Sequence, residues 1–330
     1  MIDQKDLAEM AVGEKINHFL LVVKKEIKMA RNNREFLNID LQDRSSTLSA
    51  KMWDNFELTA SKFAEGSIVK VTGEIDSYND IKQIKINSIR PDDDNGAVTI
   101  NDFLPSSLRD PDEMKTELRN RIKKIENSHL RALITEVFKQ DQSGFYFTVP
   151  AGKSWHHAYV HGLLEHTLEI IRICDLMCDI HPEVNRDLII SGAILHDFGK
   201  TEELSASTGF DYTDKGQLLG HIVIVAMLIE KIVSSIDGFP DELKNNLIHL
   251  VLSHQGKLEY ASPVVPRTLE AIILYHADEL SAKTNAYKQA ILSKENGDKT
   301  WTKYLPLAGT ALYRAGFIDN EEENFKDTLF

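Results

Sequence analysis

ILHDFGK, residues 194–200, is the stretch that decides how the second half of the chain is interpreted. Apolar residues lead into an adjacent histidine and aspartate, His196 and Asp197, and Gly199 is typical of a helix end. A neutral imidazole beside a carboxylate suits a divalent metal such as Mn, Fe or Co, which accepts nitrogen and oxygen donors. The stretch therefore predicts a metal site at the end of an apolar helix.

Further residues of the same ligand types recur in apolar, helix-like contexts on both sides of this stretch. They are His166, His221, His254 and Asp278. A lone histidine on an apolar helix is more often a satisfied core residue than a ligand. The order of the whole set therefore carries the metal-site interpretation.

Apolar residues at spacings of three and four predict an essentially all-helical domain around these candidates. The predicted helices are 112–125, 129–139, 163–179, 185–195, 219–236, 241–253 and 268–285. The only two cysteines, Cys174 and Cys178, fall on one face of a predicted helix. We interpret them as core residues, because no second ligand pair lies near them for a zinc site.

The first part of the chain predicts a small β-barrel. Five short alternating segments between Lys15 and Arg90 read as strands, with Gly66 and Gly73 between them and a hairpin turn at Asn79-Asp80. The stretch KFAEG, residues 62–66, followed by a strand through Gly73, is typical of an OB-fold, and a small antiparallel sandwich is the alternative.

A polar run of residues 92–96 separates the two patterns and reads as a linker. We therefore divide the chain into an OB-fold nucleic-acid-binding domain (1–95), a linker and helical lead-in (96–150), a helical metal-dependent domain (151–315) and a tail (316–330). A chain of 330 residues is long enough for this division, since one domain takes roughly 100–200 residues.

Charge and composition limit the partners. The chain carries 38 basic and 51 acidic residues, a net charge of -13, which disfavours wrapping of duplex nucleic acid by bulk electrostatics. Residues 1–95 are nearly balanced, with 14 basic and 17 acidic residues, so the acidic excess lies in the helical part. The longest apolar run, Ile222–Ile229, is far short of a membrane span and no basic apolar leader is evident, so we expect a soluble, cytoplasmic protein.

The ordered set His166, His196-Asp197 and Asp278 resembles the pattern of the HD phosphohydrolase superfamily. HD proteins that bind two metals add histidines between the doublet and the last aspartate, and His221 and His254 stand in those places.

Taken with the barrel, nearly the whole chain resembles the YhaM-type 3′-to-5′ exoribonucleases. The segments that carry this resemblance are SWHHAYVHGLLEHTLEI (154–170), ILHDFGK (194–200), YTDKGQLLGHI (212–222), LSHQG (252–256) and YHADELSAK (275–283). Three positions depart from the family pattern: His161 stands for a common glycine, Gln255 for a second histidine and Ser281 for a frequent aspartate.

The resemblance implies two divalent metals, with Mn first and Co, Fe or Mg as alternatives. It implies that Asp197 bridges them, that His166, His196, His221 and His254 supply imidazoles and that Asp278 ligates one metal. Lys200 would hold a phosphate oxygen or offset developing charge, or else be a solvated lysine at a helix end. His156 and His157 would contact substrate phosphate or donate a proton to the leaving oxygen, or have a structural role.

In the barrel, a basic run is a candidate to follow a phosphate backbone, with a solvated surface as the alternative. It comprises Lys24, Lys25, Lys28, Arg31 and Arg34. We expect a minority of the barrel aromatics to stack on bases and the rest to be core. These aromatics are Phe36, Trp53, Phe56, Phe63 and Tyr78.

The leading hypothesis is a metal-dependent exonuclease that removes nucleotides from the 3′ end of single-stranded RNA, and of single-stranded DNA as a second substrate. The polarity comes from the resemblance alone, which is also compatible with a homo-oligomer; no membrane partner is expected. A nucleotide phosphohydrolase would need no barrel, and a cyclic-dinucleotide phosphodiesterase would carry a Gly-Tyr-Pro element that is absent after His254. A nucleic-acid-binding protein with an inactive HD domain is disfavoured by the complete ligand set.

Overall fold

The computed structural model describes residues 4–30, 34–53, 56–78, 81–92, 98–141, 143–153, 155–205, 210–293 and 299–318. The chain forms two compact units. One runs up to Leu108 and includes Tyr159–His161 and Glu202–Gln217; the other contains Arg109–Ala158, Gly162–Thr201 and the chain from Leu218 onward. The predicted turn at residues 79–80, most of the predicted linker and nearly all of the predicted tail lie outside the described residues, and the boundary at residue 95 stays a prediction.

The first unit is built on a closed five-stranded barrel, which confirms the predicted OB-fold architecture over the sandwich. Its strands are β1 (Lys15–Met29), β2 (Glu35–Gln42), β3 (Thr47–Met52), β4 (Ile68–Tyr78) and β5 (Ile81–Pro91), with the short helix α1 (Glu57–Ala60) between β3 and β4. The strands pair in the order β1-β2-β3-β5-β4, and only the β3–β5 pair is parallel.

The length of β1 closes the barrel. Its first half pairs with β4 and its second half with β2, and the register shifts between Val22 and Lys24. Such a bulge bends a strand and lets it belong to two sides of a barrel. Alternate residues point inward, and Leu20, Leu37 and Ile84 are fully buried.

The second unit is helical, as predicted. The helices from α2 onward are α2 (Pro111–Lys123), α3 (Ser128–Gln140), α4 (Gly162–Ile180), α5 (Arg186–Leu195), α6 (Lys200–Glu203), α7 (Asp214–Val233), α8 (Asp241–Ser253), α9 (Leu269–Leu292) and α10 (Ala315–Ile318). A two-stranded sheet of β6 (Leu204–Ser205) and β7 (Asp211–Tyr212) lies between α6 and α7 in the sequence and belongs to the first unit, as do the end of α6 and the start of α7.

Two helices differ from their predicted bounds by three residues or more at one end, and α7 does so at both ends, since it stops at Val233 and not at residue 236. α7 begins at Asp214 rather than at residue 219, because the Thr213 hydroxyl accepts a hydrogen bond from the Gly216 amide and starts the helix before the apolar run. It also continues across a kink at Gly220, whose φ of 70° and ψ of 154° are not helical. α9 continues to Leu292, past the end of its apolar repeat at residue 285. Apolar periodicity predicts the buried part of a helix, so the more exposed turns at the start of α7 and the end of α9 were not predicted.

The packing of α4, α5, α8 and α9 brings the predicted ligand segments together. α4 packs against α5 and α9, and α5 packs against α8. Gly192 of α5 permits the last contact, since a Cβ there would lie 2.5 Å from the Leu250 side chain. Phe198 follows the His196-Asp197 doublet and stacks on the fully buried Tyr146, with 5.3 Å between the ring centroids. This contact fixes the doublet in the core.

α7 is the one helix among the described residues whose length and composition would suffice to cross a membrane. Its Ile224, Val225 and Ile229 are buried within the protein. Its Leu218, Leu219 and Met227 are exposed, and 39% of its most apolar stretch is buried.

Candidate metal centre

The predicted ligands come from five helical segments. His166 lies in the second turn of α4, His196 and Asp197 directly follow α5, His221 lies in α7 just after the kink, His254 directly follows α8, and Asp278 lies in α9. The kink at Gly220 and the two helix ends are therefore the local features that turn side chains toward one centre.

His196 and His254 are held in the same way. Each is the residue at which its helix ends, and each Nδ1 donates to the carbonyl three residues earlier, Ala193 at 2.8 Å and Val251 at 2.7 Å. A carbonyl only accepts, so Nδ1 carries the hydrogen and Nε2 faces the centre. The negative ends of the α5 and α8 dipoles favour a cation at this place.

The Asp197 carboxylate lies between two sets of imidazoles. Its Oδ1 is 3.3 Å from His221 Nε2 and 3.7 Å from His254 Nε2. Its Oδ2 is 3.3 Å from His196 Nε2. The two oxygens of one carboxylate thus face different histidines, which is the arrangement of a carboxylate that bridges two cations.

His166 and Asp278 complete the arrangement. The distance from His166 Nε2 to Asp278 Oδ1 is 3.0 Å. Two groups of three share Asp197: His166, His196 and Asp197 form one, and Asp197, His221 and His254 form the other, with all ligand atoms of a group within 4.8 Å of one another. The structure thus brings all six sequence-predicted ligands into one region.

His166 is oriented by two residues that the sequence did not single out as partners. The Ser281 hydroxyl donates to Glu169 Oε2 at 2.6 Å, so its oxygen accepts from His166 Nδ1 at 2.9 Å. The chain Glu169–Ser281–His166 fixes the hydrogen of His166 on Nδ1 and leaves the Nε2 lone pair for the centre. Ser281 therefore supports a ligand at a position where the family often has aspartate.

Ser281→Ala is expected to weaken binding of Mn²⁺ about 10- to 100-fold, because His166 loses the acceptor that fixes its tautomer and ring orientation. Isothermal titration calorimetry on the purified protein measures this without turnover. Ser253→Ala is the matched control, since Ser253 is equally buried but donates only to the His249 carbonyl in its own helix. Equal affinities for the wild type and Ser281→Ala would contradict the orienting role.

Burial keeps two of the imidazoles neutral. It lowers the pKa of His254 to about 4, and it holds the pKa of His166 well below its ordinary value. A neutral imidazole with its hydrogen on Nδ1 has a lone pair free for a metal.

His196 and Asp197 shift each other's pKa in opposite directions. Burial lowers the pKa of His196, but the Asp197 carboxylate outweighs it and the net pKa is raised. Burial likewise raises the pKa of Asp197, but Lys200 and His196 outweigh it, so that pKa lies well below its ordinary range and the carboxylate is ionised. The Asp197 carboxylate thus favours positive charge beside it, which a metal bound there would supply.

Two buried ring nitrogens without hydrogen bonds to the described residues indicate that this set of side chains can hold a divalent metal. The Nε2 atoms of His166 and His196 are buried and make no hydrogen bond within the part of the chain that is described. Buried polar atoms are normally satisfied, so atoms left in this way, beside an ionised carboxylate, are typical of ligands. Imidazole nitrogens together with carboxylate oxygens suit Mn, Fe, Co or Zn.

Lys200 is a buried partner of Asp197 and not a solvated lysine at a helix end. Its Nζ lies 2.6 Å from Asp197 Oδ2 and also donates to the Ala151 carbonyl. Gly199 makes this turn possible, since a Cβ there would lie 2.1 Å from the His221 carbonyl oxygen. The backbone of the doublet thus touches α7 directly.

His156 and His157 lie next to the first ligand. Both are buried, and their rings are 4.8 Å and 5.1 Å from the His166 ring. The His157 Nε2 is 3.3 Å from Glu169 Oε2, and its backbone amide donates to Asn285. Burial lowers the pKa of His156 to about 2, so near pH 7 it offers a neutral N–H and not an imidazolium.

The loop that carries these histidines has an unusual backbone. His157 and His161 have φ of 42° and 68°, in the left-handed region that favours glycine. This explains why glycine suits position 161. Gly162 follows, and a Cβ there would lie 2.0 Å from the His157 carbonyl oxygen, so the loop packs closely on the start of α4. Strain of this kind is concentrated at functional sites.

The barrel residues of the basic run have different environments. Lys24 and Lys28 are exposed and both pair with Glu26, at 2.9 Å and 3.0 Å. Lys25 instead donates to the carbonyls of Ala60 and Phe63, which ties β1 to the segment after α1. Arg31 lies outside the described residues.

Arg34 and two aromatic side chains are exposed as well. The Arg34 guanidinium lies 6.0 Å from the Trp53 ring centroid, and Trp53 stacks on Phe36 at 4.6 Å. Trp53 and Tyr78 are exposed. The others, Phe36, Phe56 and Phe63, are buried.

Two family models match the helical part and the barrel separately. A family model for the HD domain matches residues 163–283, and a model for an OB-fold nucleic acid binding domain matches residues 21–92. The 3′-5′ exoribonuclease YhaM of Bacillus subtilis (strain 168) is 33% identical over 306 residues, 93% of this chain and 96% of that protein.

Two further relatives agree. The proteins of the same name from Geobacillus sp. (strain WCH70) and Listeria monocytogenes serotype 4b (strain CLIP80459) are 34% and 36% identical, over 95% and 89% of this chain and 96% and 94% of their own lengths. With this identity along nearly the whole length, and with both domains in the same order, the chain belongs to the YhaM family of 3′-5′ exoribonucleases.

Proposed function

We propose that this protein is a metal-dependent exonuclease that hydrolyses single-stranded RNA from its 3′ end and releases nucleotides. The relatives carry the name of this activity. The observation that carries the proposal is the position of Asp197, whose two oxygens face two separate sets of imidazoles. A chain that had lost activity would have no need to keep this buried charge and its ligands in place.

The proposed site takes two divalent cations, Mn²⁺ first, held by the six ligands His166, His196, Asp197, His221, His254 and Asp278. Cations held there lower the pKa of water and offset the charge of a phosphodiester under attack. Asp197 and Asp278 bring the negative charge that holds them, and the neutral His166 and His254 bring lone pairs. Co, Fe and Mg are the alternatives, separated by metal titration of the apoprotein.

Three further side chains support the reaction in this proposal, and one of them, His156, contacts the substrate. Lys200 stabilises Asp197 and adds fixed positive charge at the floor of the site. His156, neutral and facing the cavity beside Asp197, donates a hydrogen bond to a phosphate oxygen. His157 holds His156 and the α4 start in place through Asn285 and Glu169.

The barrel would hold the strand. Exposed Trp53 and Tyr78 lie beside cations, with Arg34 over Trp53 and Lys51 Nζ 5.2 Å from the Tyr78 ring centroid. Rings flanked by cations bind bases by stacking while the charges follow the phosphates. Lys24 and Lys25 remain part of this proposed surface, although Lys25 also has the structural bonds described above. Arg31, outside the described residues, stays a candidate from the sequence alone.

Stacking and phosphate contacts do not distinguish ribose from deoxyribose, so single-stranded DNA is included as a second substrate. A cytoplasmic location and a homo-oligomer complete the proposal. Light scattering of the purified protein tests the assembly. The assay below, repeated with single-stranded DNA oligomers of the same sequence, tests the second substrate.

The test uses two single-stranded RNA oligomers, one labelled at each end, incubated with the purified protein and Mn²⁺. We expect a descending ladder from the 5′ label and labelled mononucleotide at once from the 3′ label, both abolished by EDTA. Immediate mononucleotide from the 5′ label would overturn the polarity. No cleavage with retained binding in a gel shift would support a binding protein, and hydrolysis of free nucleotides alone would support a phosphohydrolase.

A further inference from the structure

A cavity of about 360 Å³ opens beside the metal centre, and its wall has a different character from its floor. Asp197, His254 and Asp278 line it from the metal centre, and we call this side the floor. Trp155, Tyr260, Tyr275 and Leu307, here called the aromatic wall, line it together with polar side chains that include Gln255, Glu279 and Lys283. The volume falls within the roughly 300–1,000 Å³ of small-ligand pockets, in which apolar walls hold the ligand and a few polar groups orient it.

Two of the wall side chains are exposed where apolar groups are usually covered. Trp155 is 43% exposed and Tyr260 is 50% exposed. Both lie against groups that hold them: the Trp155 ring meets the His156 ring edge to face at 4.9 Å, and Lys257 Nζ lies 5.1 Å from the Tyr260 centroid. Aromatic rings that line a cavity and have neighbours in contact with them are typical of stacking surfaces for flat ligands.

Tyr275 is held by a glycine that belongs to a ligand segment. Gly256, two residues after His254, has φ of 76°, and a Cβ there would lie 2.2 Å from Tyr275 Cε2. The ring therefore lies directly against the Gly256 backbone. Tyr275 is also one helical turn before Asp278 in α9. The elements that carry two metal ligands thus also fix the aromatic wall.

We propose that Trp155, Tyr260 and Tyr275 bind the terminal nucleobase of the strand by stacking and so place its phosphodiester at the Asp197 cluster. This inference rests on the proposed function, because it takes a nucleic acid strand as the substrate. The ligand is the base of the terminal nucleotide, recognised by its flat face. Every base has such a face, so the wall tolerates all four.

The test measures binding of a product and therefore needs no turnover. Adenosine 5′-monophosphate and ribose 5-phosphate, which lacks the base, are titrated into the Mn²⁺-loaded protein by calorimetry. We expect AMP to bind about tenfold more tightly than ribose 5-phosphate, the contribution of one stacked base. UMP is expected to show the same preference.

Variants assign that preference to the wall. Trp155→Ala and Tyr275→Ala are expected to remove the advantage of AMP and to leave the affinity for ribose 5-phosphate within about twofold. Tyr275→Phe, which keeps the ring, is expected to retain it. Trp301→Ala is the matched control, since Trp301 is exposed, packs on Tyr313 and does not line this cavity.

Two results would overturn the proposal. The wild type could bind AMP and ribose 5-phosphate equally, or the variants could weaken both ligands to the same extent, as a purely structural role would do. Degradation of RNA from the 3′ end without base-dependent binding would refute base stacking on these aromatic side chains and leave the proposed exonuclease in place. Base-dependent binding of AMP without degradation of RNA would refute the proposed exonuclease and leave a nucleotide site.

Discussion

Asp197→Asn is expected to lower the rate of RNA hydrolysis at least about 1,000-fold, equivalent to roughly 4 kcal/mol of barrier. The Asp197 carboxylate faces His196 with one oxygen and His221 with the other, so the amide removes the one negative charge shared by both ligand groups. Single-turnover hydrolysis of 5′-labelled RNA measures the loss. Strand binding in a gel shift is expected to stay within about threefold of the wild type, since the barrel is unchanged.

Asp187→Asn is the matched control. Asp187 lies in the same unit and accepts a hydrogen bond from the Asn127 amide at 2.7 Å, which an asparagine oxygen can also accept. It is expected to keep full activity. Hydrolysis by Asp197→Asn at near the wild-type rate would show that the reaction does not depend on this centre.

Lys200→Met is expected to lower the free energy of unfolding in EDTA by about 3–5 kcal/mol, because it leaves a buried carboxylate without its cation. The Lys200 and Asp197 side chains are only 10% and 5% exposed, and their charged atoms are 2.6 Å apart. With saturating Mn²⁺ the loss is expected to be less than half as large, since bound cations supply the missing positive charge. Urea unfolding in the two buffers measures both values.

Lys115→Met gives the comparison for a solvated pair of the same spacing. Lys115 pairs with Asp112 at 2.9 Å, but the Asp112 side chain is 87% exposed, so the change is expected to be under about 0.5 kcal/mol in either buffer. If Lys200→Met lowered the free energy of unfolding as little as Lys115→Met, the ion pair with Asp197 would not stabilise the fold. An equal decrease in EDTA and in Mn²⁺ would show that bound cations do not compensate for the loss of Lys200.

The parts of the fold that the sequence predicts are those set by local periodicity. Alternation in segments such as residues 68–71 and 81–86 predicts strands, and the barrel follows because five such segments must bury one face. The bulge between Val22 and Lys24, which closes the barrel, leaves no such signal, since it depends on two partners far away in sequence.

The ligand types could likewise be predicted from the sequence, because histidine and aspartate are rare on apolar helices and here recur in order. The residues that orient these ligands by hydrogen bonds could not be predicted. The Glu169–Ser281–His166 chain joins α4 to α9, and Ser281 by itself reads as a departure from the family pattern. Glu169, three residues after His166, is the one local signal that could have pointed to it.

Lys200 shows the same limit for charge. The sequence suggests a contact with phosphate or a solvated helix end, but it does not show the buried ion pair with Asp197, which depends on the close contact of Gly199 with His221. The aromatic wall is also a product of packing, since Trp155, Tyr260 and Tyr275 lie on three separate segments.

The most direct test of the two-metal centre is a crystal structure of the protein soaked in Mn²⁺, with anomalous diffraction at the manganese edge. We expect two anomalous peaks, one among His166, His196 and Asp197 with Asp278 beside it, and one among Asp197, His221 and His254. A peak only among His156, His157 and His166, or no peak at a concentration of Mn²⁺ that supports hydrolysis, would contradict it.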